Sequence, residues 1–177
     1  MVRADRGRGG GRGAARPPLY TPEQRARRDA TVWTRVQGIL APVQLLACAI
    51  SAILVVRFLW SGQGYALATA SILIKTALLY TIMVTGAIWE KVVFGQYLFA
   101  PAFFWEDVVS FAVIALHSLY LWALLTGSLG AEAQMWLALV AYAAYLVNAA
   151  QFLWKLRLAR RDAARAEPAA RVDGVPA

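Results

Sequence analysis

Four long apolar runs dominate the chain, at roughly residues 38 to 60, 66 to 88, 104 to 126 and 133 to 154. Each is near the ~20 residues that an α-helix needs to cross ~30 Å of hydrocarbon. Apolar and polar side chains do not alternate within the runs, which excludes the short alternating strands of a membrane β-barrel. A helix also satisfies its own backbone amides where no water is available to do so. The pattern therefore predicts an all-α, polytopic membrane protein with four transmembrane helices in a bundle. Tryptophan marks the same boundaries: Trp33, Trp60, Trp89, Trp105, Trp122, Trp136 and Trp154 all fall at or near the ends of the runs. Indole rings favour the membrane–water interface, so this distribution is what spanning helices produce.

The polar stretches supply the rest of the plan. Residues 1–18 are rich in Gly, Arg and Pro and are expected to be a disordered basic tail. At TPEQ, Thr21 as N-cap, Pro22 at the first helical position and Gln24 three residues after the cap form a capping-box pattern. An amphipathic helix lying along the cytoplasmic interface is expected over 19–37, with the chain turning inward near Gln37 and Gly38. The four-helix transmembrane domain then occupies 38–158, and 159–177 form a second basic tail, expected to be irregular after Arg165. SGQG at 61–64 and TGSLGAEAQ at 126–134 read as turns. The connection between the second and third runs is different, because FGQYLFAPAFF is too apolar for a solvated loop and should pack against the bundle. Pro101 is expected to open the third span.

Charge changes the picture in one respect, namely orientation. The net charge is +8, with nine arginines before the first run and six basic residues from Lys155 to Arg171, and none between 127 and 132. By the positive-inside rule both termini are then cytoplasmic, as an even number of spans requires. Arg57, near the far end of the first run, can snorkel outward. The RGRGGGRG opening resembles an RGG tract but lacks interleaved aromatics, so anionic lipid headgroups rather than nucleic acid are the expected partner of the basic tails. No apolar stretch opens the chain as a cleavable signal would, so the first span is expected to act as its own targeting signal. Cys48 stands alone, which leaves no disulfide framework and no cysteine-based metal site. No nucleotide loop, nucleophile elbow or metal-ligand spacing appears, and neither a cofactor nor a metal of the protein's own is expected.

Candidate chemistry lies where polar groups interrupt the apolar pattern. WEKVVFGQYLFAPAFFWEDV, residues 89 to 108, gathers Glu90, Glu106 and Asp107 between two apolar runs. Glu106 and Asp107 also suit a helix N-terminus, where acids complement the macrodipole, and Glu90 could pair with its neighbour Lys91. Within the runs stand Lys75 and His117, and charged or titratable groups in hydrocarbon are functional candidates because burying them is expensive. Glu106, Ser110, Ile114 and His117 recur at helical spacing on one face, with His117 roughly 16 Å beyond Glu106 along the helix. Lys75 lies roughly 22 Å along its own helix from Glu90. Tyr145, Asn148 and Gln151 add a polar stripe to the fourth run. His117 suits an interhelical hydrogen bond, a ligand role or acid–base work.

TASILIKTALLYTIMVTGAIWEKVVFGQYLFAPAFFWEDVVSF, residues 69 to 111, resembles the central block of the 3-vinyl (bacterio)chlorophyllide hydratases, also called 2-vinyl bacteriochlorophyllide hydratases. LYTPEQRARRDATVWTRVQGILAPVQ before it and AYAAYLVNAAQFLWKLR after it are similar to the same family, so the resemblance covers about residues 19 to 158. It implies addition of water across the C3 vinyl group of a magnesium chlorin in bacteriochlorophyll biosynthesis. The implied partners are that chlorin, water, membrane lipid and other pigment-biosynthesis enzymes, and the implied location is the bacterial inner, photosynthetic membrane.

The resemblance assigns no residue, but the reaction does. Hydration in the Markovnikov sense needs a proton for the terminal vinyl carbon, a positioned water for the inner carbon, and negative charge near the developing cation. Glu106, Glu90 and Asp107 are the candidate catalytic carboxyls. His117 is a fourth candidate, as a proton donor or as an axial ligand to the substrate's magnesium. Lys75, Lys91, Phe104, Trp105 and Asn148 are candidate substrate contacts, and a propionate could pair with Lys91, Lys155 or Arg157. Two other classes stay open on the residues alone: a pigment-binding or assembly factor without catalysis, and a small proton-coupled transporter using Lys75, Glu90 and His117.

Overall fold

A computed structural model describes residues 19–172, and the two chain ends, including the tail expected over 1–18, lie outside them. Five helices follow in order: α1 (Pro22–Ala30), α2 (Val32–Ser61), α3 (Tyr65–Phe94), α4 (Phe104–Thr126) and α5 (Ala131–Val172). The last four are long and apolar enough to cross a membrane, and no strand occurs among the described residues.

α1 begins as its sequence dictates. The Thr21 hydroxyl accepts from Gln24 N–H while the Gln24 side chain accepts from Thr21 N–H, closing a reciprocal box in front of Pro22. Thr21→Ala should cost the helix about 1 kcal/mol, seen as faster hydrogen exchange at the Gln24 and Arg25 amides.

The end of α1 differs from expectation. Thr31 adopts an extended conformation, ends α1 and caps α2 through Trp33 N–H, so the chain bends at Thr31 and not near Gln37 and Gly38. A β-branched residue with a capping hydroxyl favours such a break. Gln37 instead lies inside α2 and reaches across to α3, donating to Thr85 Oγ1 at 2.8 Å. α4 likewise starts at Phe104, three residues after the Pro101 expected to open it, because Pro101 to Phe103 form a turn closed by Phe103 N–H on the Ala100 carbonyl. α5 runs on to Val172 through a stretch expected to be irregular from Arg165. Its Ala, Arg and Glu content has high helix propensity.

The long helices form two antiparallel hairpins, α2 with α3 and α4 with α5, which dock side by side through the less extensive contacts of α2 with α5 and α3 with α4. Gly62 ends α2 in the left-handed conformation that a tight reversal needs. Cys48, Val55, Ile72, Leu79, Val113, Tyr120, Met135 and Tyr142 are the principal members of the core between the hairpins.

Polarity is inverted relative to a water-soluble bundle. Lys75, Gln44, Ser51 and His117 are buried, whereas Trp60, Leu125, Ile53 and Ile74 are exposed. An outer surface of this kind is stable against lipid and not against water. Five of the tryptophans, Trp60, Trp105, Trp122, Trp136 and Trp154, face outward near helix ends.

A second, aromatic cluster sits at the end of the bundle where the α3–α4 connection lies. Tyr20, Val93, Phe103 and Ala159 form it, with Trp89, Phe94 and Phe152 packed around them. The Tyr20 ring stacks on Phe94 at 5.8 Å, and Trp89 Nε1 donates to Thr34 Oγ1 at 2.9 Å, which fixes the N-terminal segment against α3. Burial pushes the Tyr20 phenol up from its ordinary value, outweighing the opposing effect of Arg28 beside its ring.

Candidate functional site

The α3–α4 connection, residues 95–103, brings the three acids together. Gly95 ends α3 in the left-handed region, with φ at 88°. Phe99 also has a positive φ, 59°, and is the one non-glycine to do so among the described residues. That conformation costs an L-residue about 1–3 kcal/mol and persists where surrounding contacts enforce it. The contacts here are carboxyls: Phe99 N–H donates to Asp107 Oδ2 at 2.7 Å, and the next amide, Ala100 N–H, donates to Glu90 Oε2 at 3.2 Å. Two acids from different helices thus hold consecutive amides of one turn. The two carboxyls are thereby held side by side at this turn.

Glu106 is placed by α5. Its carboxylate lies 3.0 Å from Lys155 Nζ, and Lys155 also donates to the Ala102 carbonyl. Glu106 Oε2 is buried, with the Lys155 ammonium as the cation beside it. Its backbone carbonyl accepts from Asn148 Nδ2 at 2.9 Å and from Ser110 Oγ at 2.8 Å, which locks the first turn of α4 onto α5. Glu90, Glu106 and Asp107 are each no more than 5% exposed.

The acids therefore stand in α4's first turn and at the end of α3, but helix-end electrostatics alone does not account for them. The ion pair expected between Glu90 and Lys91 does not form. Lys91 turns outward, donates to the Gly95 carbonyl at 2.7 Å and lies over the Tyr97 ring, because adjacent residues on a helix project in different directions. Lys155, foreseen as a partner for a substrate propionate, is instead engaged by Glu106.

Phe104 and Trp105 point away from the acids, Trp105 being 69% exposed. They belong to an outward aromatic patch: Phe99 stacks on Phe111 at 5.5 Å and tilts against Phe104 at 5.7 Å, and Phe104 meets Trp105 edge-on at 5.4 Å. The patch adjoins the acids through Phe99, whose ring faces outward with the patch while its amide holds Asp107.

Lys75 and His117 meet directly, deep between the hairpins, with Nζ 2.8 Å from Nε2. His117 Nδ1 lies 2.8 Å from the Val113 carbonyl and must donate to it, which leaves Nε2 as the acceptor for Lys75. Both ring nitrogens are thereby engaged. Neither is free to ligate the substrate's magnesium, contrary to one expectation from the sequence. Lys75 Nζ also lies 4.3 Å from the Tyr145 ring centroid and 5.2 Å from that of Tyr142.

Several polar partners were not evident from the sequence. Ser51 joins the hairpins by a 2.5 Å contact to Tyr142 Oη, and Tyr65 Oη donates to Gln134 Oε1 at 2.6 Å. Gln44 is buried with neither atom of its side-chain amide partnered. The signal was there in VQLLACA, where Gln44 is the only polar residue of an apolar stretch.

The sequence profile described as 2-vinyl bacteriochlorophyllide hydratase (BCHF) matches residues 20–158. The curated 2-vinyl bacteriochlorophyllide hydratase of Rhodobacter capsulatus is 71% identical over 150 residues, covering 85% of this chain and 87% of that protein. The protein of the same name from Cereibacter sphaeroides is 74% identical over 144 residues, covering 81% of this chain and 89% of its own. No solved structure matches the chain. The matched region runs from Tyr20 in the aromatic cluster, through the connection and its three acids, to the segment of α5 that carries Lys155, and the chain belongs to the 2-vinyl bacteriochlorophyllide hydratase family.

Proposed function

We propose that the protein adds water to the vinyl group of a (bacterio)chlorophyllide, the substituent at C3, and converts it to 1-hydroxyethyl. The convergence of two buried carboxyls on consecutive amides of one turn, with the buried Glu106 next in sequence to one of them, in a chain of this family, carries the reading. A carboxyl protonates the terminal vinyl carbon, the macrocycle delocalises the cation left on the inner carbon, and water adds there. The water's extra proton returns to a carboxylate, so the atoms balance as one vinyl group plus one water. Glu90, Glu106 and Asp107 supply the proton and the negative charge, and general acid–base catalysis of this kind contributes typically 10²–10⁴-fold.

The flat chlorin is read as lying against the outward patch that includes Phe104 and Trp105, with its vinyl edge toward the acids. Asn148 holds the turn that carries Glu106. Lys91, outward and near Tyr97, is the candidate contact for the propionate. The alternative with His117 as proton donor is disfavoured by the engagement of both its nitrogens, and Lys75 then serves the bundle and not the substrate.

The proposal extends to placement. Domain 38–158 crosses the bacterial inner, photosynthetic membrane four times, and the basic tails 1–18 and 159–177 and the 19–37 segment lie at its cytoplasmic side. The acids are then at the cytoplasmic interface, within reach of water. Other pigment-biosynthesis enzymes are candidate partners there.

The test uses the full chain in lipid nanodiscs with a 3-vinyl chlorin and ¹⁸O-labelled water. Label in a hydroxyethyl product, above a heat-inactivated control, is the expected result. Pigment binding without incorporation would overturn the proposal and favour an assembly factor.

A further inference from the structure

Three carboxyls surround the connection, yet among the described residues a single cation, Lys155, reaches ion-pairing distance of any of them. It approaches Glu106 and not the other two. Glu90 and Asp107 are left without a cation at the same turn, each accepting one of two consecutive backbone amides. Two buried carboxyls held on consecutive amides repel each other when both are charged, which favours one proton shared between them. Charge count and geometry therefore divide three similar side chains into one ion-paired anion and one proton-sharing pair.

From this division we infer that Lys155 is a positioning residue, which fixes Glu106 as the anion beside the developing cation and leaves the Glu90–Asp107 pair to deliver the proton. The inference rests on the hydratase reading above and adds the separation of roles within it. The geometry suits the assignment. Lys155 bridges α5 to both α4 and the connection, through Glu106 and the Ala102 carbonyl, so it sets the distance between the anion and the turn that carries the proton-sharing pair. The Lys155 ammonium also lies over the Phe103 ring at 5.4 Å, in the aromatic cluster beneath the acids. Glu106, held as the anion by Lys155, is then the carboxylate that takes up the proton of the attacking water.

The step balances. The Glu90–Asp107 proton forms the new C–H bond at the terminal carbon, water's oxygen forms the C–O bond at the inner carbon, and the proton released by that water passes to Glu106. Return of a proton from Glu106 to the pair, directly or through solvent, completes the cycle.

The test is a double-mutant cycle on turnover in labelled water, with the full chain in nanodiscs and pigment binding followed by fluorescence quenching. Lys155→Met should lower kcat by roughly 10²-fold, the scale for losing one electrostatic element of an active site, with pigment affinity changed less than about threefold. Lys155→Arg should recover most of the rate. In a Glu106→Gln background, Lys155→Met should cost almost nothing more, because residues that act as a unit are not additive. A lysine that merely braced the turn through Ala102 would give losses that multiply in that background, and this outcome, or a Lys155→Met enzyme within threefold of wild type, overturns the inference. If Lys155→Met does not insert, Lys155→Arg decides: a rate within about threefold of wild type is required. Wild-type protein that incorporates no label would instead overturn the hydratase reading itself.

Discussion

Asp107→Asn is expected to slow hydration of the vinyl group roughly 10³-fold, within the range for loss of a general acid, while the protein still binds pigment. Asparagine keeps an oxygen where Asp107 Oδ2 now accepts the Phe99 amide at 2.7 Å, so the left-handed turn has its anchor and the connection has no cause to move. What disappears is one of the two carboxyls proposed to share the proton. Glu90→Gln should reproduce the loss for the same reason, since its side chain can still accept from Ala100 N–H. The two together should be little worse than either alone, as expected of groups acting as a unit. Label incorporation under single-turnover conditions measures the chemical step apart from product release. Turnover retained in Asp107→Asn would mean that the proton comes from elsewhere, with His117 the next residue to examine.

The second large effect concerns stability. His117→Leu should destabilise the bundle by about 2–3 kcal/mol, because it strips a fully buried lysine of its hydrogen-bond acceptor. Lys75→Met should cost less, as it leaves only a neutral acceptor unpaired. The double variant Lys75→Met, His117→Leu should return to within about 1 kcal/mol of wild type, since replacing both partners of a buried polar pair by apolar groups of similar size is often close to neutral. Thermal unfolding in detergent distinguishes these outcomes. The absorption spectrum of bound pigment should be the same in wild type and His117→Leu, because both imidazole nitrogens are already engaged. A shifted band would reveal magnesium ligation by His117.

Much of the architecture is legible in the sequence because hydrocarbon imposes length and composition so strictly. The four spans, the capping box at Thr21 and the gathering of the acids around residues 89–108 follow from residue type and order alone. The pairings do not. Glu106 with Lys155, Lys75 with His117 and Ser51 with Tyr142 join residues on different helices, and each depends on how those helices rotate about their axes. In a soluble helix the apolar stripe reveals that rotation, but in lipid both the core and the outer face are apolar and the stripe is faint. Local capping explains the other differences. Thr31 breaks the chain because its hydroxyl caps α2, while Gln37 and Gly38, which look like a turn, are absorbed into a helix with a partner waiting at Thr85.

The docking of two hairpins also bears on how the protein comes to exist in its membrane. The α2–α3 hairpin carries Lys75 and Ser51, and the α4–α5 hairpin carries their partners His117 and Tyr142. A nascent chain with only its first hairpin inserted presents an unaccompanied lysine to lipid. The second hairpin removes that exposure, and its docking brings Asp107 to the turn that Glu90 also holds. Completion of insertion and completion of the acid cluster are thus one event, and a chain that stops after its first hairpin leaves Lys75 without its acceptor and Glu90 without Asp107 beside it.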